Sequence, residues 1–169
     1  MKTDVYDIAY EGLVEGVTLF QYEINSSFFD DFEDSLIRES ELSIEIQLNK
    51  HSTHFEVTFK IKGSVTLECD KCMNETVRNI YATNEVIVKE TDGEEDDTDD
   101  IIFISRSHSI FNVRHLIYEF CNLNLPMVVG CEEPKKATCN MEMIEKIELL
   151  KIKETEVDPR WDALKNYKD

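Results

Sequence analysis

The stretch FEVTFKIKGSVTLECDKC, Phe55 to Cys72, alternates apolar and polar residues almost without interruption. Successive side chains of an extended chain point to opposite faces, so Phe55, Val57, Phe59, Ile61, Val65, Leu67 and Cys69 all fall on one face of a strand. Gly63 occupies the one missing apolar position, and its lack of a side chain predicts a bend or bulge there. Just upstream, LSIEIQL alternates Leu42, Ile44, Ile46 and Leu48 against polar partners, and NKHST (49–53) marks the turn between the two runs. The hairpin ends unusually: Cys69 and Cys72 stand three apart where a strand would simply turn back.

Working outward, Leu13–Ile24 contains VTLFQYEI and predicts another strand. SSFFDDF follows, a short helix carrying Phe28, Phe29 and Phe32 with Ser26 or Ser27 as its N-cap. Thr76–Lys89 holds a further strand or two, where Val86 and Val88 alternate, and DIIFIS (100–105) is a short apolar strand. SIFNVRHLIYEFCNLNLP then changes period. Ile110, Val113, Ile117, Phe120 and Cys121 fall on one helical stripe, widened by Phe111 and Leu116, until Pro126 ends it. Cys121 on that stripe reads as a core residue. A second helix is expected over about Asn140–Leu150 with Asn140 as N-cap, and a third in DPRWDALKNY, where Asp158 caps, Pro159 leads, and Trp161 and Leu164 share a face. Strands first and helices last predict an α+β fold: a mainly antiparallel, strongly curved β-sheet or partial barrel with C-terminal helices packed on it. The expected organisation is one domain over 1–169, with an acidic flexible loop at about 90–100 and a helical tail at about 109–169.

A chain of 169 residues can bury a real core, hiding roughly two-thirds of its unfolded surface. The formal charge of −18, from 36 acidic and 18 basic residues, opposes strong non-specific attraction to nucleic acid, which rests on neutralising phosphates. ETDGEEDDTDD (90–100) alone holds eight acidic residues and no basic one, so the remainder is only moderately acidic. That run is either a solvated, self-repelling loop or a mimic of nucleic-acid charge that engages a basic protein. No apolar run approaches the ~20 residues of a membrane span, and MKTDVYDIAY carries Asp4 and Asp7 with no apolar leader segment. The expected location is the cytoplasm, without membrane partners. Cysteines there are more often metal ligands, core residues or redox groups than disulfides.

Cys69 and Cys72 form a C-x-x-C, and Cys131 and Cys139 a looser C-x7-C. Tetrahedral zinc takes four soft or borderline ligands, often as two short-spaced pairs. The first spacing is that of a zinc knuckle, and a shared ion would clip the helical tail onto the sheet. Loop closure over that distance costs only a few kcal/mol, since it grows logarithmically, and structural zinc can outweigh it. A redox dithiol needs a helix starting at the first cysteine to lower its pKa, whereas MNETVRNIYA after Cys72 is β-like. Zinc deaminases pair P-C-x-x-C with H-x-E, and zinc proteases need H-E-x-x-H; neither pattern occurs. Nor is there a G-x-S-x-G, a P-loop or a G-x-G-x-x-G. His51 and His54 flank the hairpin tip and read as surface residues, with metal binding as the lesser alternative. Sequence motifs therefore favour a protein that is not an enzyme, with no small-molecule substrate identified.

Several of these segments, taken in order, resemble one family. VTLECDKCMNETVRNI (65–80) resembles the cysteine core of the YceD-type large ribosomal RNA accumulation proteins, also called DUF177. NVRHLIYEFCNLNLPMV (112–128) is similar to that family's helix ending in L-x-L-P, and Cys139–Asn140 with DPRWDALKNY to its tail. The likeness covers about Leu67–Tyr167. Lys71 stands where many relatives carry Arg, and the acidic run is longer than the family pattern. The resemblance implies a non-enzymatic factor for accumulation, processing or assembly of large-subunit ribosomal RNA, in contact with that RNA or with basic ribosomal proteins. Lys60, Lys62, Lys71, Arg78, Lys135 and Lys136, near the cysteine pairs in sequence, are the candidate contacts. The alternative from a different class is a zinc-stapled adaptor that binds a basic protein outside the ribosome through Glu90–Asp100.

Overall fold

The computed structural model describes residues 4–33, 35–93, 98, 101–107, 109–131 and 139–150. In chain order its elements are β1 (Asp7–Ala9), β2 (Gly16–Asn25), α1 (Ser26–Phe29), β3 (Glu39–Lys50), β4 (His54–Glu68), β5 (Glu75–Thr91), β6 (Ile101–Ser105), β7 (Ile110–Asn112), α2 (Arg114–Leu123) and α3 (Met141–Leu150). The expected hairpin forms as β3 and β4, paired antiparallel from Lys50↔Phe55 to Glu39↔Thr66. Both strands keep the alternation of the sequence: Leu42, Ile44, Ile46 and Leu48 face Phe55, Val57, Phe59 and Ile61, and all eight are buried. Each such side chain contributes about 1.5–3 kcal/mol by leaving water.

The α+β class with a mostly antiparallel sheet holds, but the barrel does not. Five strands run in the order β2-β3-β4-β5-β6 as an open sheet, neither closed nor strongly curled. Closure requires the edge strands to pair, and β2 and β6 do not. The apolar face is covered from above instead, by Phe28 and Phe29 of α1, by Ile117 and Cys121 of α2, and by Ile8, Tyr10 and Phe111 in and around a two-stranded sheet of β1 and β7. Thr76–Lys89 is one long strand rather than two, extended to Glu75–Thr91. Beside it β6 runs parallel, with Ile87 opposite Ile101 and Thr91 opposite Ser105. The acidic run lies between the two strands in sequence. Of the run, Glu90 and Thr91 end β5, Asp92 pairs with Arg106 at 2.9 Å, and positions 94–97 and 99–100 lie outside the described residues.

Gly63 makes no bulge. It stays in register opposite Leu42 and Ile80, at φ +149°, and a Cβ there would collide with the Glu41 carbonyl oxygen and stand 2.9 Å from Leu42 Cα. Glycine is needed for close backbone approach, not for an extra residue. Several local expectations also shift. Asn25 rather than Ser26 or Ser27 occupies the N-cap of α1, without a side-chain cap bond, while Ser26 Oγ accepts the Ser40 N–H at 3.2 Å. Ile110 and Phe111 belong to β7 because β1 offers an edge to pair with, so α2 begins only at Arg114. Asn140 does cap α3, its Oδ1 accepting the Met143 N–H at 3.2 Å. Yet α3 buries none of its residues, so of the two C-terminal helices among the described residues only α2 packs on the sheet; the third, in DPRWDALKNY, lies outside the described residues. Among the described residues no helix is long and apolar enough to cross a membrane.

Two cations tie the covering layer down. Lys50 Nζ donates to the carbonyls of Tyr10, Glu11 and Leu13 at 3.0, 3.3 and 2.9 Å, fixing the turn that enters β2. The Arg114 guanidinium bonds Asp31 and lies 5.6–5.9 Å from the ring centroids of Tyr6, Phe28 and Phe32, so α2 holds the N-terminal segment and α1 together.

Gly63→Ala should cost at least about 1–3 kcal/mol, the range for a residue forced into sparsely populated backbone geometry, seen as a lower urea midpoint with an unchanged slope. Cys121 is fully buried, and burial pushes its thiol up to about 12. It should stay unmodified by iodoacetamide in native protein and react only once urea unfolds the chain, as read by mass spectrometry.

Candidate metal centre

Cys69 reaches the interior because it continues the parity of β4: the face that buries Val65 and Leu67 buries Cys69, at 1% exposure. The C-x-x-C is the loop of the β4–β5 hairpin, closed where Glu68 pairs with Glu75. Inside it the Cys69 N–H donates to Asn74 O and the Met73 N–H to Cys69 O, both at 2.9 Å. Met73 adopts φ 60°, a left-handed turn that folds Cys72 back under Cys69, and Cys72 is likewise 1% exposed.

The second pair is brought in by the chain that follows α2. Asp70 grips Val129 in both directions: its N–H donates to Val129 O at 2.8 Å, and its Oδ2 accepts the Val129 N–H at 2.7 Å. The Arg78 guanidinium donates to the next carbonyl, Gly130 O. Cys131 is thereby delivered with its Sγ 3.4 Å from Cys72 Sγ. The sulfurs of Cys69, Cys72 and Cys131 all lie within 4.8 Å of one another. Cys139 stands outside that mutual triad, but its thiol interacts with both Cys72 and Cys131. The residue after it completes the site, since the Asn140 N–H hydrogen-bonds the Cys72 sulfur while the Asn140 side chain caps α3.

These contacts sort the thiols. Backbone N–H groups of Asn140 and then Asn74 stabilise a Cys72 thiolate, lowering its pKa to about 6. Cys131, sharing its hydrogen bonds with Cys72 and Cys69, is pushed up to about 12, and Cys139 is raised, first by burial. Cys72 is thus the thiol that ionises first, and a metal ion bound by the cluster would have to displace the protons of the others, so its binding would strengthen as pH rises. The geometry fits zinc. A tetrahedron with Zn–S near 2.3 Å sets its sulfurs roughly 3.8 Å apart; Cys72 and Cys131 stand at 3.4 Å, and all three sulfurs of the triad lie within 4.8 Å of one another. All five cysteines are free thiols.

The predicted cationic contacts scatter. Lys60 pairs with Glu45 at 2.9 Å on the outer face of β4, Lys62 is exposed on that face, and Lys71 is exposed on the knuckle. Arg78 is half-buried against Gly130, and Lys135 and Lys136 lie outside the described residues. Nothing in the sequence points to the Asp70–Val129 clamp, because its two ends are remote in the chain. Sequence favours the surface reading of His51 and His54, whereas the turn joins them to Glu56 as a second group of close donor atoms.

Asp70→Ala should lower stability by about 1–2 kcal/mol, the lower end for a hydrogen bond to a charged group because the side chain is partly in water. Amide exchange at Val129 should accelerate in the same variant, which separates loss of this clamp from general destabilisation.

A family model described as the large ribosomal RNA subunit accumulation protein YceD matches residues 57–168. No curated protein and no solved structure matches the chain. The matched region begins in β4, takes in the knuckle and α2, and includes all four converging cysteines. It covers about two thirds of the sequence, and on that extent the chain belongs to the YceD family of large ribosomal RNA subunit accumulation proteins.

Proposed function

We propose that this protein is a non-enzymatic accessory factor for the accumulation of large-subunit ribosomal RNA, acting in its processing or in subunit assembly, with a structural zinc ion on Cys69, Cys72, Cys131 and Cys139. The observation that carries the ribosomal part is the family match over residues 57–168. The zinc part is supported by the sulfur triad, by the thiol of Cys139 beside it, and by the two backbone N–H groups directed at Cys72. Zinc there adds no reactivity, because four protein sulfurs leave it no open position for water or substrate. Its role is mechanical: it locks the loop of the β4–β5 hairpin to the chain after α2 and to the start of α3. That staple gives the surface around Lys62 and Lys71 one shape. An overall charge of −18 favours contact with basic ribosomal proteins at least as much as with RNA.

Tag-free protein should carry about one zinc per chain by elemental analysis. Cys131→Ser should lose most of it, and Cys131→His, which keeps a zinc ligand, should recover part. Deleting the gene in its host should lower the ratio of mature large-subunit to small-subunit ribosomal RNA, and the wild-type gene should restore it. Metal-free protein would remove the staple, and an unchanged ratio would remove the ribosomal role; the two results are independent.

A further inference from the structure

We infer that the tip of the β3–β4 hairpin is a second, solvent-facing site for a divalent transition-metal ion, built from His51, His54 and Glu56. The turn sets the donors. The His51 N–H donates to His54 O at 2.9 Å, which closes the reversal and stacks the two imidazoles at 4.7 Å between centroids and 18° between planes. Two residues into β4, Glu56 lies opposite Asn49 on the outward face. Its carboxylate reaches both rings, Oε2 at 3.1 Å from His51 Nε2 and Oε1 at 3.8 Å from His54 Nε2. One ligand atom from each of the three residues lies within 4.8 Å of the other two.

Asn49 braces the same atoms: its side-chain Nδ2 lies 2.9 Å from His51 Nε2 and donates to Glu56 Oε2 at 3.1 Å. His51 Nε2 and Glu56 Oε2 face one another across 3.1 Å. In one tautomer the ring N–H donates to the carboxylate; in the other the nitrogen offers a lone pair, and a metal ion can take the place of the proton between the two atoms. Thr53 Oγ1 holds His54 Nδ1 at 3.1 Å, which leaves Nε2 as the nitrogen turned towards Glu56. An outer partner on the second ring nitrogen is the usual way a protein orients a ligating histidine.

Two imidazole nitrogens and one carboxylate oxygen suit zinc, nickel or copper(II) over calcium or magnesium. The side chains of His51, His54 and Glu56 are 39%, 29% and 52% exposed, so water fills the remaining positions and the ion exchanges with solvent. This separates the site from the cysteine cluster, whose Cys69 and Cys72 are buried and which uses no group of the hairpin tip.

Nickel(II), added to full-length tag-free protein and followed in amide-resolved NMR spectra, tests the site. At less than one equivalent, the amides of Lys50 to Glu56 should broaden as a group, apart from any change near Cys69 and Cys131. Removing even an orienting partner typically costs 10–100-fold in metal affinity, so His54→Ala should raise the apparent Kd by at least about tenfold. Glu56→Gln should raise it in the same direction. The turn is exposed and its removal leaves the core intact, so the unperturbed amides of β3 and β4 report that the variants fold. If these amides stay sharp in excess nickel, or if His51→Ala/His54→Ala broadens as the wild type does, a proton alone joins His51 to Glu56 and the metal site does not exist.

Discussion

The parity of β4 is the constraint on which the rest depends. A strand that buries every second residue from Phe55 onward has no freedom left in how it presents Cys69: the thiol must enter the same interior as Leu67. A slip of one residue would turn Glu56, Lys60 and Lys62 inward and Cys69 outward, at the cost of most of the core. The hydrophobic effect therefore fixes the direction of the Cys69 thiol, whatever it goes on to bind. Gly63 serves the same end, letting β3 approach β4 closely enough for the register to run unbroken past the position.

From that fixed point the cysteine cluster is assembled by hydrogen bonds of the backbone. The loop of the β4–β5 hairpin turns Cys72 beneath Cys69, the Asp70 clamp lays Val129 alongside, and Arg78 holds Gly130. Each contact joins groups that are partly accessible to water and would be weak alone. Together they bring Cys131 to 3.4 Å from Cys72. An ion in the cluster would find Cys131 already placed beside Cys72 by these contacts. Asn140 links the site onward, its N–H on a sulfur and its side chain at the head of α3. Because α3 buries none of its residues, that anchor matters more to its position than packing does.

Resemblance in sequence and the family match agree, and the match reaches further upstream, into β4. The sequence could not reveal that β6 runs parallel to β5. A short apolar run such as IIFIS carries no direction, and only its register on β5 in space makes the pairing parallel. The open sheet follows from the same blindness. Alternation says that one face is covered but not by what, and here two helices and a two-stranded sheet do the covering that closure would otherwise supply. Ile110 and Phe111 fit a helical stripe in sequence and form a strand in space, since β1 competes for their backbone.

What the sequence alone determined is whatever depends on neighbours a few residues apart: the β3–β4 hairpin, the buried face of each strand, the knuckle spacing, the stripe of α2 and the Asn140 cap. Side-chain period and local hydrogen bonding are short-range, so they can be read in one dimension. Tertiary structure alone decided the meeting of Cys72 with Cys131, the grip of Asp70 on Val129 and the clasp of Arg114. Those depend on register and on the path of the chain between elements, and no local pattern of residues encodes either.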